Sequence, residues 1–290
     1  MEFIRIEHPY LGQFTSSFAI KDADRCVFVD TGLRSGYEKL RAVCPRPDAI
    51  LSTHGHWDHT GCHRLFQREG VPVLVGEEDL PICREMSLQW KQMYADYQND
   101  FSIPPERRTV FDTEASAHFA PEPIPHWADP HAAGGEDFMV MTIPGHTKGS
   151  LLLQHSASGV TYTGDTVCGK GFFGVVPQIE DFAEYVSTLN RLKNVEVDIA
   201  YAAHMTEGMS NAVFHQMLED GLARCEELRE LAASFLKART GSYRIGQMAD
   251  SLCERLNQKT KNSGLCVTCR AIIQSFADEY DAVSRCLNKI

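Results

Sequence analysis

The stretch that decides the reading is LSTHGHWDHTGC, Leu51 to Cys62. His54, His56, Asp58 and His59 put four candidate metal ligands within six residues. The preceding DAILST reads as a short buried strand, entered from the proline-containing CPRPD. In an extended chain alternate side chains share a face, so His54, His56 and Asp58 are expected to converge near the end of that strand. His59 breaks the parity and joins only if the chain turns. HTGCHRLFQREG, which reads as the opening turns of a helix ending at Gly70, supplies the turn. A strand that ends and turns into a helix is a usual place for a functional site in α/β proteins.

Neutral imidazole and carboxylate are the ligands that borderline metals such as zinc accept. Four of them so close are hard to bury without a cation to share. The competing reading is a histidine-rich surface loop, which a lone histidine would favour. The HxHxDH spacing at a strand end favours the metal. Downstream, TIPGHTKGS carries His146 after the apolar run FMVMTI, TYTGDTV carries Asp165 after GVTYTG, and VDIAYAAH ends in His204. Each is a lone ligand type at the end of a short strand pattern, weak alone and informative as a series.

THGHWDH, PGHTKGS, TGDT and the terminal AAH resemble, in order, the motifs of the metallo-β-lactamase fold hydrolases, and VDTG, with Asp30 and Gly32, resembles that family's first motif. The likeness covers about the first 205 residues. It implies an α/β architecture, an αββα sandwich, with the helical tail as a C-terminal appendage. It also implies that His54, His56 and His146 hold one metal, that Asp58, His59 and His204 hold a second, and that Asp165 bridges them. Asp30 would orient the HxHxDH loop from behind. The expected cofactor is Zn²⁺, two per chain, with iron or manganese as alternatives. Asp58 and Asp165 are the expected catalytic carboxylates.

Such a site implies hydrolysis of an ester-like bond by a metal-bridging hydroxide. A thioester is favoured, because a thiolate leaves unprotonated whereas an alkoxide benefits from a general acid. The motifs and the GKGFFG after Asp165 are most similar to the glyoxalase II-like group, although the tail lacks that group's basic glutathione-anchoring pattern. Lactonases of the family carry a tyrosine just after the bridging aspartate; here TVCGKGFFG follows, and Tyr162 has the opposite strand parity. Alternatives on the same site are a lactonase, a phosphodiesterase or a mononuclear-iron persulfide dioxygenase. Diiron redox members place a glutamate where His56 stands.

The chain has 290 residues, 43% of them hydrophobic, enough for one large core or a domain with an appendage. The expected division is a hydrolase domain at 1–205, with an insertion at about 76–136, and a helical region at 206–290. Residues 205–290 carry 11 Lys+Arg and 11 Asp+Glu, so the whole net charge of −11 lies in residues 1–204. No basic stripe marks a nucleic-acid footprint. MEFIRIEHPYLG carries no long apolar segment, and the ten cysteines are scattered apart from CVTC. A cytoplasmic protein with reduced thiols, no membrane span and no nucleic-acid partner is expected. The expected partner is a small-molecule substrate, anionic and with an apolar portion.

EFIRIE, SSFAI and CVFVD read as an N-terminal meander of strands, and EKLRAV, HRLFQRE and DFAEYVSTLNRL as helices. Within the insertion, Met86, Trp90, Met93, Tyr94, Tyr97 and Phe101 fall on one helical stripe over 83–101, readable as packing or as a cap over the metal cleft. APEPIPHWADPHAAGGED reads as loop, and its His126 and His131, with His118, as non-ligands. The tail reads as helices that pack on the hydrolase domain or build a homodimer interface; GSYRIGQMADSL faintly resembles a winged-helix opening.

Overall fold

A computed structural model describes residues 1–86, 88–89, 105–115, 119–124, 138–168, 175–237, 251–252 and 263–279. Two sheets form the centre. The first runs β1 (Glu2–Tyr10), β2 (Gln13–Lys21), β3 (Cys26–Val29), β4 (Ala49–Leu51), β5 (Val73–Val75) and β6 (Glu122–Pro123), in that order. The second runs β11 (Met209–Ser210), β10 (Ile199–Ala202), β9 (Val160–Gly164), β8 (Leu151–His155) and β7 (Phe138–Thr142). The N-terminal meander is antiparallel through β3; β3, β4, β5 and β6 then pair in parallel across helical crossovers.

The period-two alternation of each strand builds the layers. Val27, Val29, Ala49, Leu51, Leu151 and Leu153 point between the sheets, where they meet Phe18 and Tyr162. Phe28 and Ile50, one residue out of phase, face the other way and pack with Leu40 of α1 (Tyr37–Val43) and Phe66 of α3 (His63–Arg68). Leu152 and Ala200 face the outer side of the second sheet, against Tyr185 and Leu189 of α6 (Phe182–Leu192). The result is the expected αββα sandwich. The C-terminal helices α7 (Asn211–Lys237) and α8 (Ser263–Glu279) join that same outer cluster through Phe214, Leu218, Leu228, Ile272 and Ile273.

Four local expectations need correction. Strand β4 stops at Leu51, so His54, His56 and Asp58 are not related by strand parity. The helix begins earlier than expected, as α2 (Trp57–Thr60), and breaks before α3, which does end beside Gly70. The insertion opens on a short α4 (Leu80–Arg84) that stops at Glu85, rather than on one helix from residue 83, and continues through α5 (Pro105–Glu114). Part of the proline-rich segment pairs as β6 on a sheet edge, where Pro123 has no N–H that the ladder would need. Met86 is buried, whereas Trp90, Met93, Tyr94, Tyr97, Phe101, His118, His126 and His131 lie outside the described residues, as does GKGFFG. Of GSYRIGQMADSL only the last two residues are described.

Candidate metal centre

The ligand-bearing loops leave the carboxyl ends of β4, β7, β9 and β10, so both sheets deliver side chains to one end of the sandwich. All seven expected residues meet there. Ligand atoms lie within 4.8 Å of one another in three overlapping groups: His54, His56 and His146; His54, His59 and Asp165; Asp58, His59 and His204. Asp58 therefore sits with His59 on the α2 turn and not with His54 and His56. Gly164 makes the turn into Asp165 possible. Its φ is +54°, and a Cβ there would stand 2.6 Å from Thr53 Oγ1.

The three-histidine group is tight. His54 Nε2 is 3.1 Å from His56 Nδ1, and His146 Nε2 is 3.1 and 3.0 Å from those two atoms. Two nitrogens bound to one tetrahedral zinc at about 2.0–2.1 Å stand roughly 3.3 Å apart, so these residues fit a shared cation. The opposite ring nitrogens settle the tautomers. His146 Nδ1 donates to the Gln178 carbonyl at 2.7 Å, and Nδ1 of His54 lies 3.2 Å from Thr53 Oγ1. Both rings thus turn Nε2 inward. His56 turns Nδ1 inward and leaves Nε2 3.5 Å from Glu180.

Asp165 lies between the groups. Its Oδ2 is 3.0 Å from His204 Nε2 and 3.6 Å from His146 Nε2, and its Oδ1 is 3.4 Å from His59 Nε2. Among the described residues neither His59 Nε2 nor Asp165 Oδ1 has a hydrogen-bond partner, although both are buried. Orphaned buried polar atoms are rare, and a cation would satisfy this pair. His59 Nδ1 donates to Asp30 Oδ2 at 2.9 Å, and His204 Nδ1 donates to the Phe14 carbonyl at 2.6 Å. Asp30 also accepts from Thr53 N at 2.8 Å and Thr53 Oγ1 at 2.7 Å. It holds φ +56°, a conformation that aspartate tolerates better than most residues, and it braces the loop as expected.

Electrostatics divides the site. Burial, then the neighbouring histidines, push His54 well below its ordinary value, and burial pushes His146 down to about 4. These rings stay neutral, the form that ligates. Burial would lower His204, but the Asp165 carboxylate overrides it and lifts the ring to about 9; His59 rises well above its ordinary value against burial for the same reason. Burial would raise Asp165, yet His204 and His59 hold it well below the carboxylate range. The carboxylates demand positive charge, which metal ions also meet.

Residues 11–204 match the family model described as the metallo-beta-lactamase superfamily. The chain belongs to that superfamily. Among its relatives, this metallo-beta-lactamase superfamily member is 24% identical over 206 residues to "Acyl-coenzyme A thioesterase MBLAC2" of Gallus gallus, 62% of this chain and 67% of that one. It is 26% identical over 198 residues to "Atrochrysone carboxyl ACP thioesterase" of Aspergillus fumigatus, 66% of this chain and 51% of that one. The chain thus spans about half the length of the fungal relative. In fold it is similar to a metallo-beta-lactamase family protein from Thermus thermophilus, with TM-score 0.72, 19% identity, and 96% of this chain and 93% of that chain covered. The expectation of a hydrolase of this fold is borne out. Among the described residues no helix is long and apolar enough to cross a membrane.

Several residues at the site had no signal in the sequence. Tyr10, at the β1–β2 hairpin, donates its phenol to Asp58 Oδ2 at 2.6 Å and stacks edge-on to Trp57. Glu180 faces His56 from the loop before α6. Asp79 and Gln89 hold backbone of the ligand loops. A lone tyrosine or acid shows no periodicity, so only the fold brings these residues to the cleft. Tyr162 points away, into the layer between the sheets, as its parity predicts.

Proposed function

We propose that the protein is a dinuclear metal hydrolase, with zinc as the metal, that cleaves an acyl thioester. The observation that carries the reading is the convergence of seven ligand-type side chains, with His59 Nε2 and Asp165 Oδ1 buried and unpartnered among them. His54, His56 and His146 would hold one ion, Asp58, His59 and His204 the other, and Asp165 both. When bound, such a pair supplies a water whose pKa falls from about 15.7 to about 7, and a Lewis acid for the carbonyl oxygen. The protein's own part is to fix the charge and the protons. Asp58 keeps Oδ2 on the Tyr10 phenol and Oδ1 toward His59, 4.0 Å from its Nε2, where it can orient or receive a proton. The Gln178 carbonyl keeps the proton of His146 on Nδ1 and leaves its inward nitrogen free. The Phe14 carbonyl would do the same for His204 once a bound cation displaced the proton that Asp165 favours on its Nε2.

Two relatives named as thioesterases support the thioester. So does leaving-group chemistry, because a thiol with pKa near about 8.5 departs as thiolate without a general acid. The Tyr10 phenol supports a second reading, an oxoester or lactone, whose alkoxide gains from a donor. The proposed substrate is a small molecule with an apolar acyl portion, and the net charge of −11 speaks against a nucleic-acid partner. Among the described residues seven buried cysteines form no disulfide, which fits a reducing cytoplasm.

Elemental analysis of the purified protein, with hydrolysis assays on a panel of thioesters, lactones and phosphodiesters, tests the proposal. Two equivalents of metal and the highest kcat/KM on an acyl thioester are expected. A single iron with oxygen consumption on a persulfide would replace the proposal with the dioxygenase reading.

A further inference from the structure

Asp79 stands where a helix cap is expected. It precedes α4, with proline in the first turn, yet its side chain makes no cap hydrogen bond. Its carboxylate is engaged elsewhere. Oδ2 accepts from Gly55 N at 2.8 Å and Thr147 Oγ1 at 2.7 Å, and Oδ1 accepts from Gly149 N at 2.8 Å. Gly55 separates His54 from His56, and Thr147 follows His146. One buried carboxylate therefore joins the two loops that carry the three-histidine group. Its approach is close enough that a Cβ on Gly149 would stand 2.6 Å from Asp79 Cγ.

Ten residues on, Gln89 completes the grip. Its Nε2 donates to Gly55 O at 2.6 Å, and its Oε1 accepts from Trp57 N at 3.2 Å. Gly55 is thus held at its N–H by Asp79 and at its C=O by Gln89, which also takes the Trp57 N–H. Both holders are buried and both belong to the segment that opens the insertion. Neither touches a ligand side chain among the described hydrogen bonds, and only Gln89, through Trp57 N just before Asp58, reaches backbone that leads to the group of Asp58, His59 and His204.

We infer that Asp79 and Gln89 are positioning residues that set the spacing of His54, His56 and His146, Asp79 governing metal affinity at that group alone and Gln89 chiefly there. The inference rests on the two-metal reading above. Three donors converge on the two oxygens of Asp79. In Asp79→Asn one of those oxygens becomes an NH₂ group, and in either amide orientation a buried donor faces another donor. Gln89→Met keeps length and volume and removes both of its backbone bonds.

The test is Zn²⁺ competition against a chromophoric chelator in two backgrounds. His204→Ala retains the three-histidine group, and His146→Ala retains the other. Asp79→Asn should weaken zinc roughly 10- to 100-fold in the first background and leave the second unchanged. Gln89→Met should shift the same background in the same direction. Circular dichroism of the metal-free variants reports folding, and if Asp79→Asn does not fold, Gln89→Met is read in its place. Zinc bound as tightly as in the parent background, or equal weakening in both backgrounds, would overturn the inference. Binding of fewer than two equivalents by the unsubstituted protein would instead sink the dinuclear proposal, whatever Asp79→Asn does to the three-histidine group.

Discussion

Asp30→Asn separates the hydrogen-bonding role of Asp30 from its backbone role. Both residues tolerate φ +56°, so the substitution leaves the left-handed turn unstrained. The carboxylate takes His59 Nδ1 and Thr53 Oγ1 on Oδ2, and Thr53 N with Ser52 Oγ on Oδ1. Asparagine offers one acceptor oxygen. With that oxygen at the Oδ2 position, the Thr53 N–H is buried against an NH₂ group. With the amide reversed, His59 must move its proton to Nε2, the nitrogen that faces the metal cleft. A buried unsatisfied donor costs about 1–3 kcal/mol, and losing the charge from the remaining bonds about 1 kcal/mol more. The metal-free protein should therefore lose about 2–4 kcal/mol of stability, read by urea unfolding with an unchanged m-value. Zinc affinity at the group containing His59 should fall roughly tenfold or more. A loss under about 0.5 kcal/mol with unaltered zinc binding would refute the role assigned to Asp30.

Asp165→Ala should retain the fold and lose more than tenfold in kcat/KM, over about 1.4 kcal/mol of transition-state stabilisation, in steady-state assays of the preferred substrate. Tyr10→Phe should reduce kcat/KM for oxoesters at least about tenfold more than for thioesters, since only the alkoxide needs a donor; equal losses would reduce Tyr10 to a holder of Asp58. His63 is buried against Phe119 with neither ring nitrogen partnered among the described residues, and burial pushes it from 6.5 down to about 3. Between those values the unfolded chain binds a proton that the native ring refuses. Stability should therefore fall as pH drops below 6.5, by up to about 1.4 kcal/mol per unit from this group. His63→Leu should flatten the slope of unfolding free energy against pH by one proton; an unchanged slope would show that the ring already titrates normally.

The candidate ligands were legible because metal chemistry imposes both residue type and spacing, and because each loop follows an apolar run that reads as a strand. The layers were legible too, since Val27 and Val29 alternate with Phe28 as a two-faced strand requires. Strand parity is no guide to Asp58, because it holds only while the chain stays extended and β4 ends three residues before His54; the structure brings Asp58 together with His59 and His204, the grouping the resemblance implies. Asp79 carried one usable sign, an acid before Leu-Pro, and that sign pointed to a helix cap. Its actual partners, Gly55, Thr147 and Gly149, are up to 70 residues away, a distance no local pattern encodes.

The carbonyl of Gln178 that orients His146 belongs to a loop with its own support: Ile179 N, one residue on, donates to Thr268 Oγ1 at 2.9 Å. Thr268 lies in α8, more than sixty residues beyond the last ligand. During synthesis, all seven ligand residues leave the ribosome long before this helix does. The nascent chain can therefore gather its histidines early, but the loop behind His146 gains its final anchor only when α8 docks. The loop behind the candidate metal centre thus gains this anchor late, and a shortened protein ending at His204 would carry every candidate ligand without it.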